Sequence, residues 1–271
     1  MRFTILNNLT AITDPVFVPS PRNLIIIFSF FIGVQANGQI VNIEDKRASL
    51  DTIGWFWQLD FGGKVTENTR SILALNGAVR VDQLRDQSQW LFLANYNLVK
   101  ANEDRFVNDG FSHLRFGQEI TPRWTWETFG QLQYNRRLLI DFRALAGTGP
   151  RLQIQESDIW ELALGVLFMF EYNELEEGEI IRNDNRISSY LSARVKVGEH
   201  ASFATTSYYQ PLVSQLGESR LSSVNTLSIS LNERIAFGSS FSITYDGLLA
   251  QLLPDIPATN YTWNNTLRLR F

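Results

Sequence analysis

Two histidines, His113 and His200, are the side chains to consider first for general-base work near neutral pH, and the absence of cysteine removes thiol chemistry and cysteine metal sites. An imidazole base needs a hydroxyl within hydrogen-bond reach and a third group to orient the ring. Neither histidine has such a set at a recognisable spacing. His113 alternates onto the same side as Arg115 and Glu119, and His200 follows a Gly198-Glu199 turn. The run Glu171–Glu179 offers oxygen ligands of the kind that suit Ca²⁺ or Mg²⁺, yet lacks the ordered spacing of a calcium loop and reads as a solvated loop. The chain is therefore expected to carry no catalytic residues, no metal and no cofactor.

What remains is a set of charges of both signs. Asp60, Glu119, Glu127, Asp141, Glu161, Glu171 and Asp246 stand against Arg70, Arg80, Arg115, Arg143, Arg194, Lys196, Arg234, Arg268 and Arg270. Their role depends on the elements that carry them. The closing residues 261–271 supply the rule: Tyr261, Trp263, Leu267, Leu269 and Phe271 share one face of a strand, and Thr262, Asn264, Thr266, Arg268 and Arg270 the other, with Asn265 the one polar residue on the apolar side.

The same alternation recurs along the chain, with Trp55, Trp57, Leu59 and Phe61 against Gln58 and Asp60, or Trp124, Trp126, Leu132 and Tyr134 against Glu127, Gln131, Gln133 and Asn135. About twelve strands are expected, and no helical pattern is sustained beyond Gln39. Aromatics at 13% beside a mean hydropathy of −0.11 fit a wall whose outer face meets lipid and whose inner face is polar. The expectation is an all-β, antiparallel up-and-down transmembrane β-barrel over residues 53–271. An open sandwich also alternates by two, but it does not need tryptophans aimed outward at strand ends.

The charges then fall inside, where they must pair across strands to offset desolvation. Arg268 and Arg270 are expected to find Asp60 across the closing seam. The outward face is expected to lack a contiguous polar patch. Connections after the third, seventh, ninth and eleventh strands read as long, and those after the fourth, eighth and tenth as tight; Arg136-Arg137 and Gly147–Glu156 break that order. A net charge of −4 gives no reason to expect nucleic acid as a partner.

Ahead of the barrel, Arg22 precedes the apolar run Leu24–Val34, which is too short to span a bilayer, and Ala36-Asn37-Gly38 offers small residues for cleavage. Residues 1–38 are read as a signal peptide, with 1–21 suggesting an over-long start, and 39–52 as a periplasmic segment.

Glu127–Asn135, Arg143–Arg151, Glu171 with Arg186-Ile-Ser-Ser-Tyr190, and Tyr208-Tyr-Gln-Pro211, in that order, resemble the salt-induced outer-membrane protein family, a Gram-negative family of unknown function. The resemblance implies a monomeric outer-membrane barrel linked to salt or osmotic stress, and brings no catalytic residues. The functional expectation is a passive narrow pore or structural envelope protein. A non-conducting subunit of a larger envelope complex is one alternative and an outer-membrane hydrolase another. Expected partners are the bilayer, lipopolysaccharide, an envelope protein, and the barrel-assembly machinery, to which terminal Phe271 would be the signal by similarity to other outer-membrane proteins.

Overall fold

Alternation of two places successive side chains on opposite faces, so a chain that alternates for most of its length builds one sheet with two chemically distinct sides. The computed structural model describes residues 53–68, 71–101, 104–232 and 234–269; of residues 104–106 only the backbone is described. The signal and periplasmic segments, Arg70, Arg270 and Phe271 lie outside the described residues.

Twelve strands follow one another: β1 (Gly54–Glu67), β2 (Ser71–Leu84), β3 (Ser88–Ala101), β4 (Asp104–Thr121), β5 (Trp124–Asn135), β6 (Ile140–Glu156), β7 (Trp160–Leu175), β8 (Ile180–Val197), β9 (Ala201–Pro211), β10 (Ser219–Ser230), β11 (Ile235–Asp246) and β12 (Thr259–Leu269). Each pairs antiparallel with its sequence neighbours, in the order β1 to β12. This is the expected up-and-down architecture. Among the described residues β1 does not pair with β12, so the sheet is curled but not closed. Asp60 consequently accepts from Gln58 Nε2 at 2.8 Å, not from Arg268, which is exposed on β12. The seam partnership expected from the sequence is overturned because the two edge strands do not meet.

The two ends of the sheet differ. At the end where β1 begins and β12 finishes, called here the terminal end, every connection is short. At the far end, a 3-10 turn at Arg136–Leu138 joins β5 to β6, and helix α1 (Gly247–Leu252), N-capped by Asp246, follows β11. Only the connections after β9 and β11 are long. The Glu171–Glu179 segment is mostly strand: β7 continues to Leu175 and the turn is 176–179. Gly147–Glu156 is likewise the continuation of β6 and not a loop, whereas Arg136-Arg137 does lie in a short connection, the β5–β6 turn.

The outward face carries the aromatics. All seven tryptophans are exposed, and all but Trp263 lie within the first four residues of an odd-numbered strand, at the terminal end. Tyr134, Phe142, Tyr172, Tyr209 and Tyr245 lie toward the far end. Between them the wall is mostly apolar, broken by Thr128 bonded to Thr148 at 2.9 Å on β5 and β6, by Asn265 on β12, and by a four-residue group at mid-strand on β9 and β10, where Thr205 bonds Asn225 at 2.9 Å, Ser207 bonds Ser223 at 3.0 Å, and Asn225 reaches Ser223 at 3.2 Å. A contiguous polar group therefore does occupy the outer wall, contrary to expectation; the short side chains satisfy one another across the register Thr205–Asn225 and Ser207–Ser223.

Candidate functional site

The concave side is packed in layers. Nearest the far end, Leu138, Ile140 and Leu175 meet Leu249, Leu253 and Ile256 in an apolar cap. Asp246 holds α1 in place, its carboxylate accepting from Leu249 N at 3.0 Å.

Beneath the cap lies a buried ionic cluster. Glu171 on β7 accepts from Arg186 Nε of β8 at 2.8 Å, pairs with Arg143 Nε of β6 at 3.2 Å, and receives a two-pronged contact from Arg220 of β10 at 3.1 and 3.3 Å. Arg220 also donates to Asp246 of β11 at 2.7 Å. Asn173 donates to Glu171 at 3.0 Å and accepts from Arg143. The Glu171 side chain is 0% exposed, and no arginine of the cluster exceeds 4%. Charges this buried are tolerated only when paired and fully hydrogen-bonded, and a planar guanidinium suits a carboxylate because it offers two parallel donors.

A second layer sits toward the middle of the strands. Glu127 on β5 accepts from Arg115 of β4 at 3.3 Å and from the Tyr190 hydroxyl of β8 at 2.8 Å. The Arg115 guanidinium lies 5.8 Å from the Tyr190 ring centroid and 6.0 Å from that of Phe129. Leu167, Tyr190 and Tyr208 pack alongside. His113 is buried on β4, stacked on Phe129, with Nδ1 2.9 Å from Gln131 Oε1, whereas His200 lies in the exposed β8–β9 turn. On the β2–β3 side, Arg80 pairs with buried Asp82, and Leu91, Leu93 and Phe111 form an apolar contact.

At the terminal end the layers stop short of the mouth, leaving a cavity of about 480 Å³ bounded by β3 to β9 and the β2–β3 connection. Arg194 and Glu161 face each other across its wall at 3.7 Å. Glu119 is exposed at its rim.

The structure thus brings together Glu127 with Arg115, and Glu171 with Arg143 and Asp246 through Arg220. Arg80 and the Glu161–Arg194 pair stand apart from both layers, and Lys196 is exposed at the end of β8. Asp141 does not face the interior. It is the extra residue of a bulge between Ile140 and Phe142, which breaks the alternation, and its carboxylate instead accepts from Gly178 N at 3.2 Å in the β7–β8 turn. The sequence reading missed Arg186, Arg220 and Asp82 as interior charges. Parity contains the signal, since Arg186 keeps step with Tyr190 and Arg194 on β8, which begins at Ile180, and Arg220 is the second residue of β10. Among the described residues no group of three or more His, Cys, Asp or Glu is placed to hold a metal ion.

Comparison with solved structures finds the NanC porin (10% identity, 79% of this chain and 100% of that one, TM-score 0.44) and a bacterial polysaccharide outer membrane secretin (9%, 79% and 80%, 0.44). The beta domain of the Bordetella autotransporter Brka is also similar (9%, 80% and 98%, 0.32). No curated protein matches the chain. A family model described as "Protein of unknown function, DUF481" matches residues 55–251, most of the length that forms the sheet, and the chain belongs to that family.

Proposed function

We propose that this protein is an outer-membrane barrel whose lumen is blocked, acting as an envelope component and not as an open pore. The membrane part of the reading rests on the two aromatic belts. Trp124 and Tyr134 are ten residues apart on β5. At roughly 3.3 Å per residue and a tilt of roughly 40°, that gives an apolar height of about 25 Å, the height of an outer-membrane band.

The blocked lumen is carried by one observation: Glu171 is contacted by arginines from β6, β8 and β10 under an apolar cap, so the polar groups that would line a channel are spent on each other. Planar-bilayer recording of the purified protein is expected to be silent, while a Glu171→Ala, Arg220→Ala double variant that retains its fold should conduct. Steady conductance by the wild type would overturn the reading.

A narrow pore is supported by a different observation. The inward side chains of β1 and β12, among them Gln58, Asp60, Lys64, Asn264 and Arg268, are exposed and, apart from Phe56, mostly polar. Were these the pore wall, Lys64→Glu would shift ion selectivity in the same recording. The proposed partners follow from the barrel reading: the bilayer and lipopolysaccharide around it, and the assembly machinery through Phe271, whose deletion should reduce insertion.

A further inference from the structure

The cavity at the terminal end has walls unlike those of an ordinary ligand pocket. Its volume of about 480 Å³ lies within the range of small-molecule sites, which are mostly apolar, yet its lining is charged and hydroxylic and includes no aromatic ring among the described residues. Part of that charge is already committed: Arg194 faces Glu161, and Arg115 is held by Glu127 beneath the floor.

Arg151 on β6 is not so committed. Of its five N–H donors, one goes to Gln153 Oε1 at 2.7 Å, and its Nε–H is shielded from solvent with no acceptor. Nearer the mouth, Glu119 close to the end of β4 and Glu156 at the end of β6 are exposed. The β2–β3 connection adds exposed Asp86 and Arg85, so the cavity has an unsatisfied guanidinium within and a rim where three carboxylates stand against one guanidinium.

We propose that this vestibule binds a small zwitterionic solute, with its oxyanion on Arg151 and its cationic group between Glu119 and Glu156. A simple anion must pass a rim where Asp86, Glu119 and Glu156 outnumber Arg85 to reach Arg151, and a simple cation finds no acidic floor beyond the rim. A neutral sugar would leave the Arg151 charge without a counter-charge and meets no ring to stack on. Only a molecule bearing both charges satisfies both ends at once. This inference does not depend on whether the barrel conducts.

Glycerophosphocholine titrated calorimetrically into the full chain in a maltoside detergent tests it, with glycerol phosphate and choline as the two halves of the same molecule. Saturable binding of the zwitterion is expected, at least tenfold tighter than either half. Arg151→Met should weaken it at least tenfold. The exposed Glu156→Gln variant, which leaves the interior packing alone, should narrow the preference over glycerol phosphate. Short-chain phosphatidylcholine binding more tightly than glycerophosphocholine would assign the site to a lipid headgroup, and equal or weaker binding to a free solute. No saturable heat with the zwitterion, equal affinity for glycerol phosphate, or unchanged binding in both variants would overturn the proposal.

Discussion

Glu171 and Arg220 meet through two contacts, at 3.1 and 3.3 Å, although they belong to strands three apart in the sheet and are separated by 49 residues in sequence. Their contact is possible only because the sheet curls so that β7 and β10 face each other. It ties curvature to charge: the arginines that Glu171 gathers hold the concave wall together. Removing the carboxylate leaves three buried guanidinium groups with two acidic neighbours, Asp246 against Arg220 and Asp184 at 4.0 Å from Arg186. Glu171→Gln is expected to cost about 3–5 kcal/mol, the usual penalty for breaking a buried pair from one side. A urea titration in detergent micelles, followed by tryptophan fluorescence, reads it; an unchanged midpoint would remove the cluster from the account of stability.

Tyr190 makes a narrower test. Its hydroxyl donates to Glu127 at 2.8 Å in a layer where water does not reach. Tyr190→Phe keeps the ring and its packing on Tyr208 but deprives Glu127 of one donor. The expected loss is about 1–3 kcal/mol. The companion Tyr190→Leu should cost more, since it also removes the ring contacts with Arg115 and Tyr208.

Two glycines mark where backbone and ring come too close for any side chain. A Cβ on Gly149 would press on the Val166 carbonyl of the neighbouring strand, and one on Gly165 would press on the Tyr190 ring, which Glu127 anchors. Gly149→Ala and Gly165→Ala are each expected to destabilise by about 1–3 kcal/mol or more through forced shifts. Gly130→Ala, where the added methyl meets open space, is the control and should leave gel heat-modifiability unchanged.

The aromatic belts predict depth. Brominated lipids carrying bromine near the headgroup should quench the tryptophan fluorescence more than lipids brominated near the methyl terminus, because all tryptophans but Trp263 cluster at the terminal end. A Trp263→Phe variant should sharpen that depth preference. Equal quenching at every depth, or none, would be incompatible with the proposed placement.

Most of the strands were legible because period two is a local property. Trp124, Trp126, Glu127 and Gln131 declare their faces whatever the rest of the chain does, and each is found on the face that parity assigns. Legibility failed where a local feature was absent or misleading. Asp141 keeps formal step with Arg143, yet a bulge of one residue turns it outward. No helical pattern is sustained in the sequence beyond Gln39, but the Asp246 cap starts a helix at Gly247 whose leucines fold under the rim. The acidic run after Glu171 looks like a loop by composition, although its first residue is among the most buried in the molecule.

The sequence alone determined the strand type, the count of twelve and the outward face, since backbone pleating converts alternation directly into sidedness. It also determined that charges of both signs would share the inner face. Only the tertiary structure decided which of them meet. Partners such as Glu127 with Tyr190, or Glu171 with Arg220, depend on how far the sheet curls and on the register of every intervening strand, and that is a sum over many small twists that no single stretch of residues encodes. The same sum left β1 and β12 apart, so Asp60 and Arg268, which sequence parity aims at one lumen, do not form the pair that a closed seam would have given them.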